Sequence, residues 1–448
     1  MKLVYDVNDK PETKQLIVYG FQQVLAILAA TITVPLVVGN GMSTAAALFG
    51  AGVGTIVYLL FTKFKSPVFL GSSFAFIGSM NAAFAGAVSI QAGFTGLVIG
   101  AIFAGLVYAV IALIVKKAGV AWIDKLMPPV VIGPTVAIIG LSLASSAISS
   151  LTKSDATGGT SNFAVLCGIV ALIATTLAST YGKKYTKMIP FIIGILTGYA
   201  LAAVLTIIGN ATGIESLMIS DFSAFTNLTN GGVTLSTFFS APDFTFLTAA
   251  KGLSEIDATY IGTIAVAYIP VAFVVFAEHI ADHKNISSII EKDLLKEPGL
   301  DRTLLGDGIG SMVGAFFGGC PNTTYGESVA CVAITKNASV TTIVTAAIEC
   351  IVLSFVSPIV AFISSIPSCV MGGVCMALYG FIAVSGLKMV QKVDLEKNKN
   401  LFVVSAILIA GIGGLQLTFG KITITSVACA LILGIIINVV LSKEPESK

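Results

Sequence analysis

Fourteen apolar segments, each near the length of one membrane crossing, follow one another almost end to end, and this succession limits what the chain can fold into. A helix needs roughly 20 apolar residues to cross about 30 Å of hydrocarbon. The segments fall at 16–38, 44–62, 67–85, 93–115, 127–150, 162–180 and 189–209, then, after a polar stretch over 210–258, at 259–281, 303–319, 320–335, 339–364, 366–387, 400–418 and 422–441. With 56% hydrophobic and 11% charged residues, no soluble surface can be built. Mean hydropathy of +0.96 and 45 glycines fit closely packed membrane helices. A net charge of +2 argues against nucleic acid as a partner. The seven cysteines lie in or beside apolar runs without CxxC spacing, so neither a disulfide framework nor a zinc site is expected. Residues 1–15 lack the apolar core and cleavage site of a signal peptide, so the first span is expected to stay in the mature protein.

Basic residues test this count independently, because they accumulate in cytoplasmic loops. With the N-terminus inside, all of the 25 lysines and arginines except Lys153, Lys251 and Lys421 fall on the inner side, and both termini are cytoplasmic at the cell membrane. Residues 210–258 then form an external connection between residues 1–209 and 259–448.

The two halves resemble each other. PPVVIGPTVAIIGLSLA at 128–144 matches PSCVMGGVCMALYGFIA at 367–383, and Ser72, Ser73, Phe74 and Ala75 parallel Thr323, Thr324, Tyr325 and Gly326. Seven spans per copy is odd, so the second copy must be inverted. The expected fold is therefore an all-α polytopic membrane protein of two inverted seven-span repeats, as in many secondary transporters. Both halves are interrupted at about 67–76 and 320–327, where proline, glycine and Ser/Thr predict a short extended stretch leading into a half-length helix. Extended backbone at that depth is tolerable only inside protein or along a cavity, where its N–H groups and the following helix dipole can receive a ligand. Kinked packing helices are the plainer reading of the same residues.

Few acids lie within the spans, and such acids usually have a function. Glu278 stands in VAFVVFAEHIADH and Glu327 opens the half-helix after NTTYG. Glu327 is a ligand group or a favourable charge on a helix start, and Glu278 a ligand group or a hydrogen-bonded core acid. Asp282 shares a face with Glu278 and is a coupling or gating group, or an interfacial acid paired with Lys284. It is placed too near the inner end of its span to be a direct ligand. His279 and His283 occupy the neighbouring face as packed or interfacial residues; the HExxH order of a zinc site is missing. Asp307, in LLGDGIGS, reads as a cap in a glycine-rich turn, and Glu349 has no visible partner. Tyr325 and Tyr379 have flat faces with polar tips suited to a planar solute, and Phe74 and Phe76 add apolar surface beside the first interruption. All four are equally ordinary core aromatics.

FLGSSFAF, FAEH, GGCPNTTYGE and the VMGG…LYG run at 370–380 resemble the uracil permease branch of the nucleobase/cation symporter (nucleobase-ascorbate transporter) family across essentially the whole chain. The resemblance implies a core domain of spans one to four and eight to eleven, and a gate domain of spans five to seven and twelve to fourteen. A homodimer through the gate domain is also implied. It implies import of a nucleobase, uracil first, by alternating access with a cation, the proton first. Neither enzymatic activity nor a cofactor is implied. Matched residue by residue, Glu278 and Glu327 would bind the base, the backbone at Phe74 and Gly326 would contact it beside Ser73 and Tyr325, and Tyr379 would approach from the gate. Gln22 and Gln23 stand where many members have Gln-His, and Asp282 where uracil permeases usually have histidine and purine-transporting members resemble this chain. Together with His279 these are the expected coupling or gating residues. Ser328, Val329 and Ala330 replace the usual Asn-x-Gly, whereas Glu327, glutamine in many purine members, favours a pyrimidine. Purine substrates, sodium coupling, an anion transporter of the same architecture and an intramembrane hydrolase are the rivals. An anion site should hold a basic residue between the interrupted helices, where this chain has acids.

The chemistry agrees with that resemblance. Uracil presents two N–H donors and two carbonyl acceptors, complementary to carboxylates and backbone N–H groups. Two acids close together in a low-dielectric site also favour binding a cation.

Overall fold

The structure, a computed structural model, describes residues 3–119, 128–183, 186–187, 189–230, 232–419 and 422–441. Residue 127 of the fifth expected span, and Lys2, Lys125, Lys184, Lys421, Lys443 and Lys448 of the charge count, lie outside the described residues.

The first half contains α1 (Thr13–Val38), α2 (Thr44–Phe61), strand β1 (Leu70–Ser72), α3 (Ile77–Ala85), α4 (Ile90–Ala118), α5 (Pro129–Ser142) continued by α6 (Ala144–Thr152), α7 (Asn162–Tyr181) and α8 (Pro190–Thr212). In the second half stand α9 (Ala258–Ile290), α10 (Leu300–Gly318), strand β2 (Asn322–Thr324), α11 (Gly326–Thr335), α12 (Val340–Ser354), α13 (Ser357–Ser364), α14 (Ser368–Val390), α15 (Asn398–Ile412), a hairpin of β3 (Leu417–Phe419) and β4 (Ile422–Ile424), and α16 (Ser426–Leu441). Each expected segment thus holds a helix. Among the described residues, eight helices are long and apolar enough to cross a membrane: α1, α2, α4, α5 with α6, α7, α8, α9 and α14. Five more are apolar but shorter. Helix α10 has the length but carries Asp301, Arg302 and Asp307.

Two boundaries differ most from the sequence reading. Helix α9 runs nine residues past the expected end at 281. Its polar end, with Glu278, His279, Asp282 and His283, lowers the hydropathy, yet both histidines are buried against protein. Segment 400–418 stops as helix at Ile412, because Leu417–Phe419 and Ile422–Ile424 pair as the β3–β4 hairpin.

Helix contacts are related by exchange of the halves. Helix α2 packs on α10 and α5 on α14, and each of these pairs joins equivalent positions. The α4–α10 contact is matched by α12–α2, α1–α12 by α9–α4, α7–α8 by α15–α16, and α14–α7 by α15–α5. Small residues permit the close crossings. A Cβ on Gly50 would lie 2.5 Å from the Gly314 carbonyl oxygen, and one on Gly140 would lie 2.2 Å from that of Tyr379.

The connecting segment is more than a loop. Its helix Thr245–Gly252 packs on α4, where Thr95 Oγ1 donates to the Ala249 carbonyl at 2.7 Å. Phe244 and Phe246 join Phe49, Phe316 and Phe317 in an aromatic cluster with ring centroids 4.8–5.8 Å apart. On the lysine-rich side residues 4–7 lie along the α11–α12 loop, with Val4 N donating to the Lys336 carbonyl and Val340 N to that of Val7.

Candidate functional site

Both interruptions form as the prolines and glycines predict. After α2 the chain turns through Lys63 and Phe64, both at positive φ, and Pro67 leads into β1. After α10, Gly319 at φ +75 turns the chain into Cys320-Pro321 and β2. The strands pair antiparallel, Leu70 with Thr324, Gly71 with Thr323 and Ser72 with Asn322, so each supplies the ladder partner the other lacks at membrane depth. Ser73 N donates to the Pro321 carbonyl at 2.9 Å and Tyr325 N to that of Phe69 at 3.2 Å. The Tyr325 hydroxyl crosses back to the Ser72 carbonyl at 2.7 Å. Asn322 Nδ2 donates to the Gly50 carbonyl at 3.0 Å, in a notch where a Cβ on Gly54 or Gly314 would meet it within 2.5 Å.

From this crossing a short 3-10 turn at Phe74–Phe76 leads into α3, and α11 starts at Gly326. The unpaired first-turn N–H groups of α11, with the positive end of its dipole, stand beside a cavity of about 650 Å³. Ser73, Phe74, Tyr325, Gly326 and Glu327 line it from the two interruptions, and Glu278 and Asp282 from one face of α9. Glu278 accepts no hydrogen bond from another described residue. Asp282 Oδ2 accepts one from Thr324 Oγ1 at 2.8 Å. Asp282 is therefore a wall residue of the cavity rather than the interfacial acid that was its alternative reading, because α9 continues for two further turns. The cavity extends past Phe381, Ser385 and Met389 of α14 to Ser179 and Lys187, on the lysine-rich side.

The other expected residues stand behind the wall. Tyr379 is 3% exposed, with its ring edge-on to Phe74 at 5.9 Å. Gln23 is buried and donates to Ser328 Oγ, which also accepts from Phe69 N at 3.0 Å, so it ties α1 to both interruptions. Gln22 Oε1 is buried without a hydrogen-bond partner among the described residues. His279 faces α10 rather than the cavity: Nδ1 lies 2.7 Å from Asp307 Oδ2, and Nε2 lies 3.0 Å from Thr303 Oγ1. Asp307 is thus the buried partner of His279 in mid-helix and not a turn cap; LLGDGIGS stays helical because its glycines face neighbouring helices. His283 Nδ1 donates to the His279 carbonyl at 2.8 Å, which leaves Nε2 to accept from the Tyr58 hydroxyl at 2.7 Å. Glu349 faces Gly20 across the α1–α12 contact, and its Oε2 has no hydrogen-bond partner among the described residues.

Thr324, Ala330, Cys331, Phe381, Ser385 and Lys187 line the cavity without having been singled out as site residues from the sequence. Ala330 and Cys331 follow Glu327 at the i+3 and i+4 spacing, so helical periodicity from that expected ligand could have found them. Lys187 carries no such signal, since it lies in a basic loop.

A family model described as the Permease family matches residues 14–420. The uracil permease of Bacillus caldolyticus is 37% identical over 100% of this chain and 96% of its own length. The uracil permease of Escherichia coli K12 is 34% identical over 96% of this chain and 92% of its own. Among solved structures, the transmembrane domain of a cyanobacterial bicarbonate transporter, BicA, superposes with a TM-score of 0.62 at 13% identity, covering 96% of this chain and 99% of that one. The murine anion transporter Slc26a9 in its inward-facing state gives 0.65 at 10% identity, covering 97% of this chain and 69% of that one. At such identities the structural likeness concerns the fold alone.

Proposed function

We propose, since this chain belongs to the Permease family and within it to the uracil permease branch, that it imports uracil across the cell membrane together with a proton. It is a nucleobase permease and not an enzyme. The observation that carries the substrate reading is the convergence of Glu278 and Asp282 on α9 with Glu327 at the start of α11 around one cavity. Carboxylate oxygens accept the two N–H groups of uracil, and backbone N–H groups at Phe74 and Gly326 donate to its carbonyls. The resemblance in fold to anion transporters does not extend to this chemistry, because three acids face the cavity and Lys187 stands at its far end.

Three carboxyl groups against one lysine give the cavity a surplus of acids, and uracil is neutral, so a cation entering with the base offsets the cost of burying their charge. The packing supports alternating access: α1–α4 group with α9–α12, α5–α8 with α14–α16, and the cavity is lined from both groups. In this reading the first group is the core and the second the gate, through which two copies pair. The charge bias supports cytoplasmic termini, and the cavity then opens inward past Lys187.

Uptake of radiolabelled uracil into vesicles tests the whole reading. An uncoupler should abolish accumulation while leaving exchange of internal for external uracil largely intact. Accumulation that survives the uncoupler and follows sodium instead would remove proton coupling, and absence of uracil uptake would remove the substrate.

Asp282→Asn separates binding from coupling. The asparagine oxygen can still accept from Thr324, so the wall keeps its shape while the charge one turn from Glu278 disappears. Uracil should bind within a few-fold of wild type, while accumulation and its pH dependence change. Equilibrium binding and vesicle uptake of the same variant across a pH series decide it: a parallel loss assigns Asp282 to the substrate, and no change in either leaves coupling to Glu278.

A further inference from the structure

Two cavities meet at the centre of the protein. The second, of about 580 Å³, lies on the side of Phe74 away from the lysine-rich face, and Phe74, Ala75 and Ile139 belong to the walls of both. Its polar lining comes from Ser79 and Asn81 on α3, Ser142 on α5, Thr263 on α9, Gln416 and Thr425 at the ends of the β3–β4 hairpin, and Ser426 at the start of α16.

Most of those side chains are already bonded to the backbone. Ser79 Oγ donates to the Ala267 carbonyl at 2.7 Å, Ser142 Oγ to that of Ile139 at 3.0 Å and Thr263 Oγ1 to that of Thr259 at 3.1 Å. Thr425 Oγ1 accepts from Ala428 N at 3.4 Å. The primary amides of Asn81 and Gln416 differ: neither is hydrogen-bonded to another described residue, and both are exposed on the cavity. Asn81 stands on α3 and Gln416 just before the hairpin that leads into α16, whose strand β4 packs on α9.

A primary amide presents N–H donors and a carbonyl acceptor in one plane, the same pattern that the imide edge of a pyrimidine base presents. We propose that the outer cavity is a transient docking site for the planar base, in which Asn81 and Gln416 form paired amide contacts before the base passes Phe74 and Ile139. This rests on the reading of the inner cavity as the uracil site. Neutral amides suit such a station: they recognise the base without the charge-assisted bonds that would hold it there.

A station passed on the way in changes rates and leaves the equilibrium at the inner site untouched. In proteoliposomes carrying the Asn81→Leu, Gln416→Leu double variant, kcat/KM for uracil influx should therefore fall about tenfold, the worth of two neutral hydrogen bonds. The Kd from equilibrium uracil binding to the same preparation should stay within about twofold, since a change of path alters on- and off-rates together. An unchanged Kd also shows that the variant is folded. Influx equal to wild type overturns the proposal, and so does a Kd that weakens in step with influx. Wild-type protein that binds no uracil overturns the inner-site reading, and is told apart because the failure then precedes any substitution.

Discussion

Uracil affinity should fall at least tenfold, about 1.4 kcal/mol, when Glu327 is changed to Gln. The carboxylate presents acceptor lone pairs only, and a hydrogen bond to a charged acceptor contributes about 1.5–3 kcal/mol. The amide that replaces it would be neutral and would turn an N–H group toward a base whose facing groups are also donors. Glu327 lines the cavity and makes no hydrogen bond to another described side chain, so the substitution leaves the packing of α11 in place. Calorimetric titration of purified variant with uracil gives the number. If Glu327→Gln binds as wild type does, the acid serves only the start of α11 and the base must be held by Glu278.

The other large effect should come from a single methyl group. A Cβ on Gly71 would lie 2.3 Å from Cε2 of the Tyr325 ring. That ring cannot retreat freely, because its hydroxyl holds the Ser72 carbonyl and its backbone N–H holds Phe69. Gly71→Ala must therefore push the two strands apart and displace the starts of α3 and α11. An error of about 1 Å in such positioning can cost roughly a hundredfold in rate, and a loss of that size in uracil uptake is expected. Overpacking a buried site typically costs about 1–3 kcal/mol, so the thermal midpoint of the purified protein should drop as well. Gly78→Ala is the control, since nothing lies within 4 Å of its Cβ position. Equal uptake by the two variants would show that the strand crossing does not set the geometry of the site.

The helical plan was legible because hydropathy reports the bilayer directly, and both interruptions were legible because proline and glycine act locally. What hydropathy could not report was burial against protein. Helix α9 was cut short at 281 on account of its polar residues, yet His279 and His283 are buried in contacts with Asp307 on α10 and Tyr58 on α2. The same shortening made an interfacial acid one of the two readings of Asp282, which stands on the cavity wall. Asp307 was misplaced for the complementary reason, since glycines that would loosen a soluble helix here make room for α2 and α4. Gln22 and Gln23 came from resemblance and Tyr379 first from its aromatic face, and one sequence cannot distinguish a residue that touches the cavity from one that braces it.

The antiparallel pair at the centre also bears on how the protein can be made. Tyr325 and Ser72, which it joins, are 253 residues apart in the chain. When the first half has left the ribosome, β1 therefore has an unpaired edge at membrane depth, with no water there to satisfy it. That edge waits through synthesis of the connector and two more long helices before β2 arrives. The first half should accordingly be a substrate for membrane chaperones or proteases while it waits. A gene split within the connector should yield active transporter only when both pieces are made in the same membrane at the same time.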